Sequence, residues 1–122
     1  MKSIALAIYS KPKPNGAAET AYDLAQSLLS LGHKVSRLFF FHDGVYNATD
    51  SHSISLPQRW SQLIQSHSID AVVCVASAEQ RGIKPSPSHA TENKLLPGFQ
   101  IAGLAQLVDA SKNSDHLLTF SD

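Results

Sequence analysis

Apolar positions along this chain change their period several times. Ser3 to Tyr9 is apolar almost throughout, the pattern of a strand covered on both faces. KPKPNG (Lys11 to Gly16) then supplies two prolines and a glycine, which end the strand. From Ala17 the period becomes helical: Ala21, Leu24, Ala25, Leu28 and Leu31 share one stripe, and Gly32 is placed as the stop. Val35 to Phe41 is β-branched and aromatic, a second strand. The first 41 residues thus read as a β-α-β unit with parallel strands and a right-handed crossover.

His42 to Pro57 is polar and reads as a long loop, a feature often functional in compact domains. Leu56, Trp60, Leu63 and Ile64 predict a short amphipathic helix, and Ile69 to Ala76 the most continuously apolar, hence central, strand. Arg81 to Pro97, with three prolines, is a second long connection. Phe99 to Ala102 predicts a fourth strand. Leu104, Leu107 and Val108 stripe a helix over Gly103 to Ser111, and Leu117 to Phe120 closes as a fifth strand. No repeat or linker divides the chain, so residues 1–122 form one domain. Alternation of strands and helices predicts an α/β three-layer sandwich, with a mainly parallel sheet of about five strands and helices on both faces. In such sheets reactive groups collect beyond the carboxyl ends of the strands. Both long loops emerge there, and Cys74 lies close by.

Composition narrows the function. The 122 residues carry 10 Lys+Arg against 10 Asp+Glu, a net charge of zero that disfavours direct nucleic-acid binding. The lone cysteine excludes an internal disulfide and any site of clustered thiols. No apolar run is long enough to span a bilayer. The N-terminal run imitates a secretory signal, but Lys11 and Lys13 stand where a cleavage site belongs, so a cytoplasmic location is expected.

The chemical candidates are few. Within AVVCVA, Cys74 reads either as a small core residue or as a reagent. The six histidines lack metal-motif spacing and suit surface or capping positions, so no metal is expected. KPKPNG sits where phosphate loops sit but has neither GxGxxG nor GxxxxGK[ST], and reads as a rigid turn with solvated lysines. No serine has a G-x-S-x-G context. Asp43 and Glu79, near the same edge, suit surface ion pairs.

FFFHDGVYNA (Phe39 to Ala48), VCVASAEQRGI (Val73 to Ile83) and GFQIAGLAQLVDAS (Gly98 to Ser111), in that order, resemble the DsrE/DsrF-like sulfur-relay family, and most of all its TusD-like members. The resemblance covers essentially the whole chain. KPKPNG and the polar stretch Ala78 to Gln80 depart from the family pattern. By this resemblance Cys74 is the cysteine that accepts sulfane sulfur as a persulfide and passes it to another protein's cysteine, for 2-thiouridine formation at the tRNA wobble position. Amides after Cys74, with Arg81, are expected to favour its thiolate; Tyr46 and Asn47 are expected to line the site. No cofactor is implied. The implied partners are TusB-like and TusC-like subunits in a heterohexamer, a TusA-like donor and a TusE-like acceptor, with Phe41, Val45 and Tyr46 as exposed docking residues. Two alternatives stand beside this: a DsrE-type subunit in dissimilatory sulfur oxidation, and a non-catalytic assembly subunit with a buried Cys74.

Overall fold

The computed structural model describes residues 2–50, 54–83, 95–103 and 105–122. Its elements are β1 (Ser3–Ile8), α1 (Ala17–Ser30), β2 (Lys34–Phe40), the 3-10 helix η1 (His42–Ala48), α2 (Leu56–His67), β3 (Ala71–Cys74), α3 (Val75–Gln80), β4 (Phe99–Ala102), α4 (Ala105–Asn113) and β5 (His116–Phe120). The five strands form one parallel sheet in the order β4-β3-β2-β1-β5. Three successive crossovers step the same way along the sheet, and the last reverses to reach the far side of β1. Because parallel crossovers are right-handed, the reversal puts α4 on the face opposite α1 and α2. The three-layer α/β sandwich expected from the sequence is therefore the observed architecture.

Strand alternation divides the interior into two unequal parts. The larger core lies under α1 and α2. There Leu6, Ile8, Leu38, Phe40 and Val73 meet Ala21, Ala25, Trp60 and Ile64. Ala18, Ala21 and Ala25 of α1 are fully buried and let the helix approach the sheet closely. Each large side chain buried here contributes about 1.5–3 kcal/mol. The smaller cluster comprises Phe39, Phe41, Val72 and Cys74, with Tyr9, Ala102 and Leu107 of α4 packed against it. A register shift between Ile4 and Ala5, where β2 carries the extra residue Ser36, lets Val35 and Leu38 both face the larger core.

Local chemistry explains the element ends. Gly32 takes φ +86°, and the amides of Gly32 and His33 close on the carbonyls of Leu29 and Leu28 at 3.1 and 2.9 Å, a glycine-terminated helix end. At the start of α1, the Ala17 amide donates to Asp122 Oδ1 at 2.8 Å and Lys13 Nζ lies 3.4 Å from Asp122 Oδ2. The loop KPKPNG thus holds the protein's own carboxylate. Where the sequence suggested a long loop after β2, seven residues instead form η1. Gly44 makes this possible: a Cβ there would lie 2.0 Å from the Ile8 carbonyl oxygen. The predicted strand Ile69 to Ala76 is also shorter, because Val75 and Ala76 already form the first turn of α3. Most of the connection before β4, together with Leu104 and the Val108 side chain, lies outside the described residues.

In the large core, Tyr22 packs edge-on to Trp60 at 5.0 Å, under the Arg59 guanidinium at 5.1 Å. Burial pushes its phenol above the usual 10.0, against the lowering effect of Arg59. The native state then keeps this proton longer than the unfolded chain does, so stability falls as pH rises above about 10. Denaturant titrations should show a shallower alkaline decline for Tyr22→Phe than for the native chain. Gly44→Ala should cost about 3 kcal/mol by the same measurement, since η1 or the end of β1 must move to accept the methyl group.

Candidate functional site

The carboxyl edge of the sheet gathers the ends of β1, β2 and β3. Ile8 accepts the Phe41 amide at 3.0 Å, and Gly44 donates back to the Phe41 carbonyl at 2.7 Å. β2 therefore turns sharply into η1 at His42, which holds a left-handed φ of +48°, an uncommon and costly conformation for a residue with a side chain. Next to it, β3 ends on Cys74, paired with Ala102 of β4, and α3 begins at the following residue.

Cys74 is 9% exposed and belongs to the smaller cluster, against Phe39, Phe41 and Val72. Phe39 and Phe41 lie 4.2 Å apart between ring centres, and Tyr9 stacks on Phe41 at 4.9 Å and 22°. His42 extends this aromatic row at 5.5 Å from Tyr9. Val75 and Ala76, immediately beyond the thiol, are exposed. The sulfur therefore has an apolar wall of aromatic rings on its own face and a solvent-facing helical turn directly after it. Such surroundings shelter a thiol from indiscriminate oxidation while leaving the chain beside it open to a visitor.

The other expected site residues are distributed differently. Arg81 donates from Nε to Asp43 Oδ1 at 3.1 Å and from Nη1 to the Ser77 carbonyl at 3.1 Å, so its charge is paired across to η1. Asp43 thus holds the surface ion-pair role its position suggested. Asn47 is fully buried on the large-core side. Its Nδ2 donates to the carbonyls of Ser10 and Gly44 at 3.0 and 2.9 Å, and its Oδ1 accepts the Trp60 indole N–H at 3.2 Å. Tyr46 also packs against that larger core. These two residues hold the floor of η1, while Cys74 faces the opposite layer. The docking expectation needs correction too: Val45 is fully buried and Phe41 is 7% exposed, so their apolar surface is spent inside the fold.

The sequence offers Ser77 no role, since it lacks a G-x-S-x-G context. It is 6% exposed, and its Oγ accepts the His42 amide at 3.0 Å. The available signal was its place three residues after Cys74, on the short helix that begins directly after the thiol. Among the described residues, no three of His, Cys, Asp and Glu stand close enough to hold a metal ion, and no helix is long and apolar enough to cross a membrane.

Fold and edge define a parallel α/β domain with a single sheltered thiol at the carboxyl end of an inner strand. The model of the DsrE/DsrF-like family matches residues 2–120, and the chain belongs to that family. It is 38% identical to the putative sulfurtransferase DsrE of Allochromatium vinosum, over 97% of this chain and 98% of that protein. It is also 38% identical to the sulfurtransferase TusD of Serratia proteamaculans, over 84% and 87%. The crystal structure of the ychN protein from E. coli superposes with a TM-score of 0.79, covering 98% of this chain and 100% of that one, at 21% identity. That likeness establishes the fold, and sulfur transfer is the activity in the names of the two sequence relatives.

Asn47→Ala should cost about 2–3 kcal/mol in denaturant unfolding, because it leaves the buried Trp60 N–H without its acceptor and takes a donor from the Ser10 and Gly44 carbonyls.

Proposed function

We propose that this chain, a sulfurtransferase, carries sulfane sulfur on Cys74 as one station of a relay between proteins. The observation that carries the reading is the placement of the lone thiol as the last residue of β3, at the carboxyl edge, with exposed backbone directly after it. In the first step the Cys74 thiolate attacks the outer sulfur of a donor persulfide. The new S–S bond joins Cys74 to that sulfur, and the donor leaves as its thiolate. In the second step an acceptor thiolate attacks the same outer sulfur, forming its own persulfide and returning the Cys74 thiolate. Neither step changes the total number of electrons, so no cofactor is required.

The chain has one cysteine. A persulfide here has no internal thiol to resolve it, and the sulfur leaves only to another molecule. This supports a carrier working with partners: a TusA-like donor, a TusE-like acceptor and TusB-like and TusC-like subunits in a heterohexamer, in the cytoplasm, serving wobble 2-thiouridine. Arg81 supports the site through α3. Tyr46 and Asn47 support it by holding η1.

A second reading, a DsrE-type subunit in dissimilatory sulfur oxidation, draws on the DsrE relative, whose match covers nearly the whole of both chains. Two measurements test these readings. Incubated with a small-molecule persulfide donor, the native chain should gain one sulfur atom by intact-mass spectrometry, and Cys74→Ser none; an adduct that persists in Cys74→Ser overturns the carrier role. Deleting the gene should remove 2-thiouridine from cellular tRNA; unchanged tRNA together with impaired sulfur oxidation would favour the second reading.

A further inference from the structure

We propose that Asp43, Ser77 and Arg81 are positioning residues for Cys74, acting as a clamp that fixes η1 against α3. The proposal rests on the carrier role of Cys74 and adds to it how the thiol is held. Among the described residues, the hydrogen bonds that join the two segments flanking Cys74 each use a side chain. Its own backbone runs directly into α3, six residues long, without a side-chain hydrogen bond from Cys74 to that helix. Its aromatic neighbour Phe41 runs directly into η1. Across this gap the His42 amide donates to Ser77 Oγ at 3.0 Å, and Arg81 Nε donates to Asp43 Oδ1 at 3.1 Å. Arg81 Nη1 returns to the Ser77 carbonyl at 3.1 Å, which locks the two ties into one unit.

A second observation points the same way. His42, the residue that Ser77 holds, has φ +48°, and such a conformation persists only where its surroundings enforce it. Without the clamp the turn after Phe41 is free to relax, and the ring that walls the thiol moves with it. The Asp43 side chain is 57% exposed and that of Arg81 19%. A pair this open contributes little to global stability, so its loss should register at the thiol before it registers in melting. On this view Arg81 acts through Asp43, as half of a tether. A bare cation acting on the sulfur would give a different pattern.

The experiment compares the native chain with Asp43→Asn, Arg81→Gln, Ser77→Ala and the charge swap Asp43→Arg/Arg81→Asp. Two rates and a melting temperature are read: sulfur loading of Cys74 from inorganic polysulfide by intact mass, iodoacetamide alkylation of Cys74, and thermal unfolding. Each single variant should slow loading and alkylation by about tenfold, as expected for a displaced reacting atom. For Asp43→Asn and Arg81→Gln, melting should shift by less than about 5 °C. The charge swap should recover part of both rates, because it rebuilds the tie between positions 43 and 81, though not the bond to the Ser77 carbonyl. If Arg81→Gln alone is slow, Asp43→Asn is unaffected or faster, and the swap is no better than Arg81→Gln, the clamp is overturned in favour of direct charge on the sulfur. Native rates in all variants overturn it as well. Should the native chain take up no sulfur, the carrier reading fails, while the alkylation series still decides the clamp. If the swap unfolds, Ser77→Ala, which removes a single oxygen, carries the decision.

Discussion

The contact between Gly44 and the last carbonyl of β1 is the constraint on which this edge of the molecule depends. Only a residue without a side chain allows η1 to cross so close over Ile8. That crossing lets β2 end abruptly and return its chain over the sheet. Asn47 then reaches down through the crossing to the Ser10 carbonyl and the Trp60 indole, binding the turn to the large core. The Asn47 amide uses both its donor and its acceptor here, and gives the buried Trp60 N–H its partner in an apolar interior. The sharp turn after β2, and so the aromatic wall beside Cys74, follow from one missing methyl group.

The sheet separates two tasks by register. In β3, Ala71 and Val73 point into the larger core, while Val72 and Cys74 point to the smaller cluster. The face under α1 and α2 has nearly all the large fully buried side chains and most of the hydrophobic stabilisation. The other face has the aromatic row Phe39, Phe41 and Tyr9, the thiol, and a thinner cover from α4. An apolar thiol site next to an exposed turn suits group transfer between proteins: the sulfur is shielded at rest, and a partner's thiol has to meet it at the strand end.

Much of this was legible in the sequence, because periodicity and turn residues report on local structure. The five strands, α1 with its Gly32 stop, and the position of Cys74 at the carboxyl edge all followed from such signals. What was not legible depends on contacts between distant positions. The extra residue Ser36 in β2 changes which side chains share a face, and no local pattern marks it. Asn47 looked like a polar loop residue, since its partners Ser10 and Trp60 are remote in the chain. Phe41 and Val45 looked like surface for docking because the loop around them is polar; η1 folds them inward. Arg81 was expected beside the thiol on the strength of sequence proximity, yet its partner is 38 residues away on η1. The apolar run Ile69 to Ala76 is longer than β3, since Val75 and Ala76 are apolar and their exposure arises from the turn into α3.

The division of β3 between two layers also bears on how such a chain changes over generations. Residues that keep it folded and residues that shape the thiol's surroundings alternate along the same four positions, yet they draw on different neighbours. Substitutions on the Phe39–Phe41–Val72 side can therefore retune reactivity or partner choice while leaving the main reserve of stability under α1 and α2 intact. A fold arranged in this way can give rise to carriers for different sulfur pathways without first having to become more stable.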